Sequence, residues 1–290
     1  MTTATATETL TAGWRPTRHR VALPRLLRAE LRWIFRRPRT LVVLGLIAAI
    51  PVIIGIAMQF AGDSAGANGE APVFVSAAAS ALALPVGALT VMLSLLLPLT
   101  VAMASGDAIA GEQAHSTLRG WLLAPVSRGR LLGVKAFGVA VVALAAVTLI
   151  AVTGLVTGLI FNGTSGLFTL SGTTLSLTDA VLRVALAAGW VALQLWAIGA
   201  VALAISACTD HPMLVVACTL GGLIVSQVLL LFSALDWLHP FLLPDSWMAI
   251  TDVLRDPIAF DGMFEGAARA ACYIVIALSL GYARVLTRDG

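Results

Sequence analysis

The sequence predicts an all-α membrane protein with six transmembrane helices. Three observations carry that expectation. The chain is 59% hydrophobic and only 11% charged, with a mean hydropathy of +0.96, whereas a soluble domain carries about a quarter charged residues. Its apolar residues fall in separate runs, each near the roughly 20 residues needed to cross about 30 Å of hydrocarbon. Its basic residues alternate between rich and poor connections, the pattern that orients spans in a membrane.

Residues 1–23 form a polar, Thr/Ala-rich tail without an apolar core, so no secretory signal is expected in it. Residues 24–39 are expected as an amphipathic helix lying in the headgroup plane. At about 100° per residue, Arg25, Arg28, Arg32 and Arg36 share one arc of roughly 80°, with Leu27, Leu31 and Ile34 opposite. Pro24 suits a first helical position and Pro38 ends the run. The arginines would meet anionic lipid or a docking partner, and Arg28, Arg32 and Arg36 are the candidates for that role.

Residues 40–290 are expected to hold the six-helix domain. The first span is 41–60, with Pro51 as a kink. The second is 75–104, tilted or broken at Pro85 and Pro98. The third is 136–160, the fourth 184–208, the fifth 213–232 and the sixth about 270–282, short unless it begins near Gly266. Cys208, Cys218 and Cys272 fall in apolar runs without metal-ligand spacing, and are expected as small core residues.

Fifteen of the 18 Lys and Arg residues lie in residues 1–40, the connector 105–135 and the tail. That side should be the cytoplasm, with both termini inside. The opposite side holds Arg183, Arg255 and Arg269. It also holds a long loop, 233–266, whose Asp236, Asp245, Asp252, Asp256, Asp261 and Glu265 read as a solvated acidic rim. The excess of arginine over lysine points to a bacterial source, and hence to a bacterial plasma membrane.

What is missing narrows the function. No ionisable side chain lies in the middle of a span, where coupled pumps keep carboxylates or histidines. The one lysine, Lys135, sits in Gly-Val-Lys-Ala with no Ser or Thr after it, so it does not belong to a phosphate-cradling loop. Uphill work would need an ATPase on another subunit. Gln194 and Gln227 are the most polar groups in the spans, and Trp190 shares a helical face with Gln194. These three either line a pathway for an amphipathic cargo or stabilise helix contacts in lipid.

The connector, within GDAIAGEQAHSTLRGWLLAPVSRGRLLGVKAFG at 106–138, orders its residues distinctively. Asp107 and Glu112 come first, where the second span ends. Ser116 and Thr117 then cap a short helix carrying Leu118, Trp121, Leu122 and Leu123, which Pro125 stops. Arg128, Arg130 and Lys135 open the next helix.

This order resembles the connector of ABC-2 type permeases, the membrane subunits of ATP-binding-cassette exporters. The resemblance rests on Asp107, Ile109, Glu112, Thr117, Leu118, Leu122, Leu123, Pro125, Val126, Ser127, Arg128, Leu131, Leu132, Gly133 and Lys135. Ser116 replaces a usual glycine, and Arg119 a frequent acid. The resemblance implies an interfacial helix before the first span and re-entrant outer helices before the last. It implies two such halves, as a homodimer or a paralogous heterodimer, docked on two separate ABC ATPase subunits that bind ATP and magnesium. This chain itself would hold no cofactor or metal and bind no nucleic acid. ATPase coupling would fall to Glu112, Thr117, Leu118, Arg119 and Trp121. The cargo implied is a small amphipathic or drug-like molecule moved outward, with an ion, a metal or sulfur species, or a lipid as alternatives. A competing reading comes from Gly163-Thr-Ser165-Gly166, which matches the G-x-S-G of rhomboid intramembrane serine proteases.

Overall fold

In lipid a backbone must be satisfied internally, in helices or in a closed barrel, and here the described spans are helices. The computed structural model describes residues 23–65, 81–114, 128–163, 167, 169 and 171–287. Helix α1 (Leu23–Phe35) is followed, after a short turn, by α2 (Pro38–Ala65). Helices α3 (Ala83–Ser94) and α4 (Leu96–Ala108) form one pair bent by 54°. The short α5 (Ala110–Ala114) continues from α4. Then come α6 (Arg128–Asn162), α7 (Leu177–Ser206) and α8 (Pro212–Leu229). Three 3-10 helices, Ser233–Leu235, His239–Phe241 and Leu243–Leu254, lead to α9 (Asp261–Thr287). Helices α2, α6, α7, α8 and α9 are long and apolar enough to cross a membrane, and the bent pair makes a sixth span if taken as one.

Helix α7 is the axis of the bundle. Its Ala187, Val191, Leu195, Ile198 and Leu203 are buried in one core with Leu89, Leu93 and Leu97 of α3 and α4, Val147 and Ile150 of α6, and Ala270 of α9. Between helices surrounded by hydrocarbon, close packing replaces the hydrophobic effect as the main attraction, and small residues permit it. Gly154 and Gly158 give α6 such a face. A Cβ on Gly158 would lie 2.5 Å from the Ala81 carbonyl oxygen, and one on Gly154 would lie 2.8 Å from Pro85 Cα.

The bent pair has a local cause. Pro98 has no N–H, so the carbonyl of Ser94, four residues earlier, lacks its ladder donor. Gln227 of α8 supplies one, donating Nε2 to Ser94 O at 2.9 Å. The ladder resumes at once, with Leu99 N donating to Leu95 O at 2.9 Å. The break therefore falls one turn before Pro98. Pro85, also expected to break the span, lies in the first turn of α3, where its N–H would have had no partner anyway. Pro51 lies within the continuous helix α2.

Two further expectations are corrected. The third and sixth helices begin at Arg128 and Asp261, not near 136 and 270, because backbone bonding continues past the apolar stretch that marks a span. Cys208, Cys218 and Cys272 are exposed rather than in the core. In a membrane bundle the outward face is as apolar as the inward one, so hydropathy does not separate them.

The segment before α9 is held at both ends. A 3-10 run of 12 residues, Leu243–Leu254, is long for that geometry. Arg269 of α9 donates to Leu242 O at 2.8 Å and pairs with Asp245 at 3.0 Å and Glu265 at 2.7 Å. Arg183 of α7 donates to Val253 O at 3.0 Å and Arg255 O at 2.6 Å, and pairs with Asp256 at 3.1 Å. Both arginines are buried. Their charge is balanced by carboxylates at the rim, and their donors reach carbonyls at the two ends of the 3-10 run.

Candidate functional site

The functional candidate is the base of the connector, where α4 runs into α5. Its backbone is fixed first. The N–H of Ala110 donates to Ser206 Oγ of α7 at 3.0 Å. Ser105 Oγ donates to Gly199 O of α7 at 3.3 Å. Gly106 is pressed against the start of α8, so that a Cβ there would come 2.9 Å from Pro212 O. These contacts hold the junction at the end of the bundle that carries α1.

Six charged side chains from five elements and the α1–α2 turn then meet there. Lys135 of α6 is 1% exposed, and a buried ammonium is tolerated only with anionic partners. It has two. Nζ lies 3.0 and 3.1 Å from the two carboxylate oxygens of Glu30 in α1, and also pairs with Oε1 of Glu112 in α5. Both glutamates are buried as well. The Trp33 ring of α1 lies 5.2 Å from the ammonium. Beside them Asp107 of α4 pairs with Arg37 at 3.3 Å and with Arg39 at 3.6 Å. The Arg37 guanidinium also stacks over Trp33, 3.2 Å from the ring centroid. Three acids and three bases thus balance.

Burial raises the Glu112 carboxyl above the ordinary carboxylate range, with Lys135 opposing that rise. Burial likewise lowers the Arg37 guanidinium, against the effect of Asp107. A cavity opens beside the cluster, lined by Trp33, Arg37 and Asp107 at its polar end and by Val43, Met103 and Val142 at its apolar end.

Of the residues anticipated for ATPase coupling, Glu112 is part of this cluster. Thr117, Leu118, Arg119 and Trp121 lie outside the described residues, as do the polar tail before Leu23 and Ser165 of the protease-like motif. Arg28 and Arg32 are exposed on α1, and Arg36 is exposed in the turn after it, all away from Glu30. Trp190 donates Nε1 to Met263 O of α9 at 2.9 Å, and Gln194 donates Nε2 to Gly266 O at 3.1 Å. Both are buried, and Gln194 Oε1 has no hydrogen-bond partner among the described residues. Gln227 serves the Ser94 carbonyl. Each of the three thus bonds a neighbouring helix backbone.

Glu30 and the tie through Lys135 were missed by sequence reasoning, although a signal was present. On the helical projection of α1, Glu30 lies directly opposite the arginine arc, amid Leu26, Leu27 and Ile34. An acid at the centre of an apolar face asks for a buried cation, and the chain has one lysine.

The long apolar helices and the charge cluster at one end define a multi-pass membrane protein. The family described as ABC-2 family transporter protein matches residues 25–289, and the chain belongs to that family. It is a membrane permease subunit of an ABC transporter, a component that works with an ABC ATPase and generally lacks an ATPase site of its own. Among curated proteins no relative matches the chain.

Proposed function

We propose that this chain is the membrane half of an exporter, energised by separate ATPase subunits that bind ATP and magnesium and push on its connector. Two copies, identical or paralogous, enclose the pathway and dock on two ATPases. The preferred cargo is a small amphipathic or drug-like molecule moved outward across a bacterial plasma membrane, with both termini in the cytoplasm. The charge bias of the connections supports that orientation, since fifteen of 18 Lys and Arg residues fall on the connector side.

The observation that carries the reading is the way the connector leaves the bundle. Its first residues, through Glu112, are hydrogen-bonded and ion-paired to the α1–α2 turn, α2, α6 and α7. A loop that merely joined two spans would need none of these bonds. An element that receives force from a docked protein needs a rigid base, so that displacement moves helices and is not absorbed by local unfolding.

The test is co-purification of the chain with its ABC ATPase in lipid nanodiscs, followed by ATP hydrolysis with and without candidate amphipathic compounds. Glu112→Ala is expected to insert normally but to lower cargo-stimulated hydrolysis at least fivefold. Unchanged stimulation removes Glu112 from the coupling path.

A further inference from the structure

The chain has one lysine, and it is buried between two carboxylates on different elements. A static anchor for α1 would need only one of them. The placement of the second is informative. Glu112 lies in the last turn described before residue 115, and Lys135 lies two turns after α6 begins at Arg128. Their ion pair therefore closes the connector into a loop at its base, across 23 residues of chain. The same ammonium reaches Glu30, so the closed loop is tied to α1 as well.

We propose that Lys135 is a positioning residue that makes the connector, α1 and the start of α6 move as one body. This rests on the reading that an ATPase displaces the connector. Helix α5 has only five residues, and so short a helix is marginal without outside support. With Lys135 holding both Glu112 and Glu30, a push on the connector is passed to α1 and α6. Without it, the push is taken up by unravelling α5. Glu30, on the helix that would lie at the headgroup level, is then the arm through which ATPase closure reaches the membrane surface.

The geometry also separates this role from ordinary stability. Replacing Lys135 alone would strand two buried carboxylates and disrupt the fold. Glu30→Gln leaves Lys135 paired with Glu112 and takes the charge out of the arm to α1, weakening that arm alone.

The experiment uses the full chain with its ATPase in nanodiscs. Spin labels are placed at Ala29→Cys and Ala283→Cys, both exposed positions, in a background with Cys208, Cys218 and Cys272 changed to Ser. The complex is diluted with unlabelled chain so that one labelled copy is read. In the parent, trapping with ATP and vanadate should shift the distance between α1 and the end of α9. In Glu30→Gln that shift should fall by at least half while the thermal midpoint stays near that of the parent, and Lys135→Arg should retain the shift. The fully neutral variant, Glu30→Gln with Glu112→Gln and Lys135→Met, should lose the shift while its thermal midpoint stays near that of the parent. An undiminished shift in Glu30→Gln or in the neutral variant overturns the proposal. If the parent itself shows no shift on trapping, the ATPase-driven reading fails and this proposal fails with it.

Discussion

Arg269 offers a sharp test of how the segment before α9 is held. It is buried, yet its guanidinium serves the Leu242 carbonyl at 2.8 Å and the Asp245 and Glu265 carboxylates. Arg269→Met keeps much of the hydrocarbon packing and removes every polar contact. Losing a hydrogen bond from a charged donor to a buried carbonyl costs about 1.5–3 kcal/mol. The two carboxylates are partly or largely exposed, with side-chain exposures of 34% and 65%, so screening holds their share to about 0.5–1 kcal/mol together. The sum is about 3 kcal/mol, which corresponds to on the order of a hundredfold in a local opening equilibrium. Amide hydrogen exchange in nanodiscs reads this directly. Leu243–Leu254 should exchange on the order of a hundredfold faster in the variant, while α2 keeps its parent rates. Arg269→Lys should recover part of the protection through a single donor. A change below about threefold in Leu243–Leu254 would refute the clamp.

Other perturbations test the bundle and the cluster. Gly158→Val places a branched side chain where even a Cβ would lie 2.5 Å from Ala81 O, and should cost about 1–3 kcal/mol, seen as a lowered thermal midpoint in nanodiscs. Gln227→Leu removes the donor that serves the Ser94 carbonyl; it should cost about 0.6 kcal/mol, and Pro98→Ala in the same background should recover it by restoring the ladder bond. The raised Glu112 carboxyl predicts a pH slope. The folded chain holds that proton more tightly than the unfolded chain does. Its contribution to stability is thus full below the ordinary carboxylate pKa and is lost as pH rises through the raised value. Thermal midpoints measured from about pH 4 to about pH 7 should show that decline in the parent and a flatter profile in Glu112→Gln.

Much of the fold was legible because lipid imposes a simple grammar. Long uncharged runs must be helices, and the turn at 209–212 announces itself by Pro212 at the start of α8. The ends of the spans were less legible. Arg269 and Lys135 both sit inside continuous helices, because hydrogen bonding does not stop where apolar residues do. The break at Leu95 was placed only approximately. A proline acts on the carbonyl four residues before it, and whether the helix bends depends on Gln227 arriving from α8.

The site was legible in part. Glu112 stood out because of its place in the connector order, and it lies in the cluster. The Glu30–Lys135 bond joins residues 105 apart, a pairing that no local pattern encodes. Arg37 and Arg39 entered the sequence reading only as two of the basic residues in 1–40, whereas in the structure Asp107 pairs with both. Trp190 and Gln194 were correctly placed on one face, but only the packed structure supplies their partners, the Met263 and Gly266 carbonyls of α9.

On the proposed function this chain receives work and does not generate it. Nucleotide turnover by the purified chain in nanodiscs, alone and then with its ABC ATPase added, tests that most directly. The chain alone should hydrolyse no ATP above empty nanodiscs, and hydrolysis should appear only with the ATPase and should respond to Glu112→Ala. Sustained turnover by the chain alone would contradict the account.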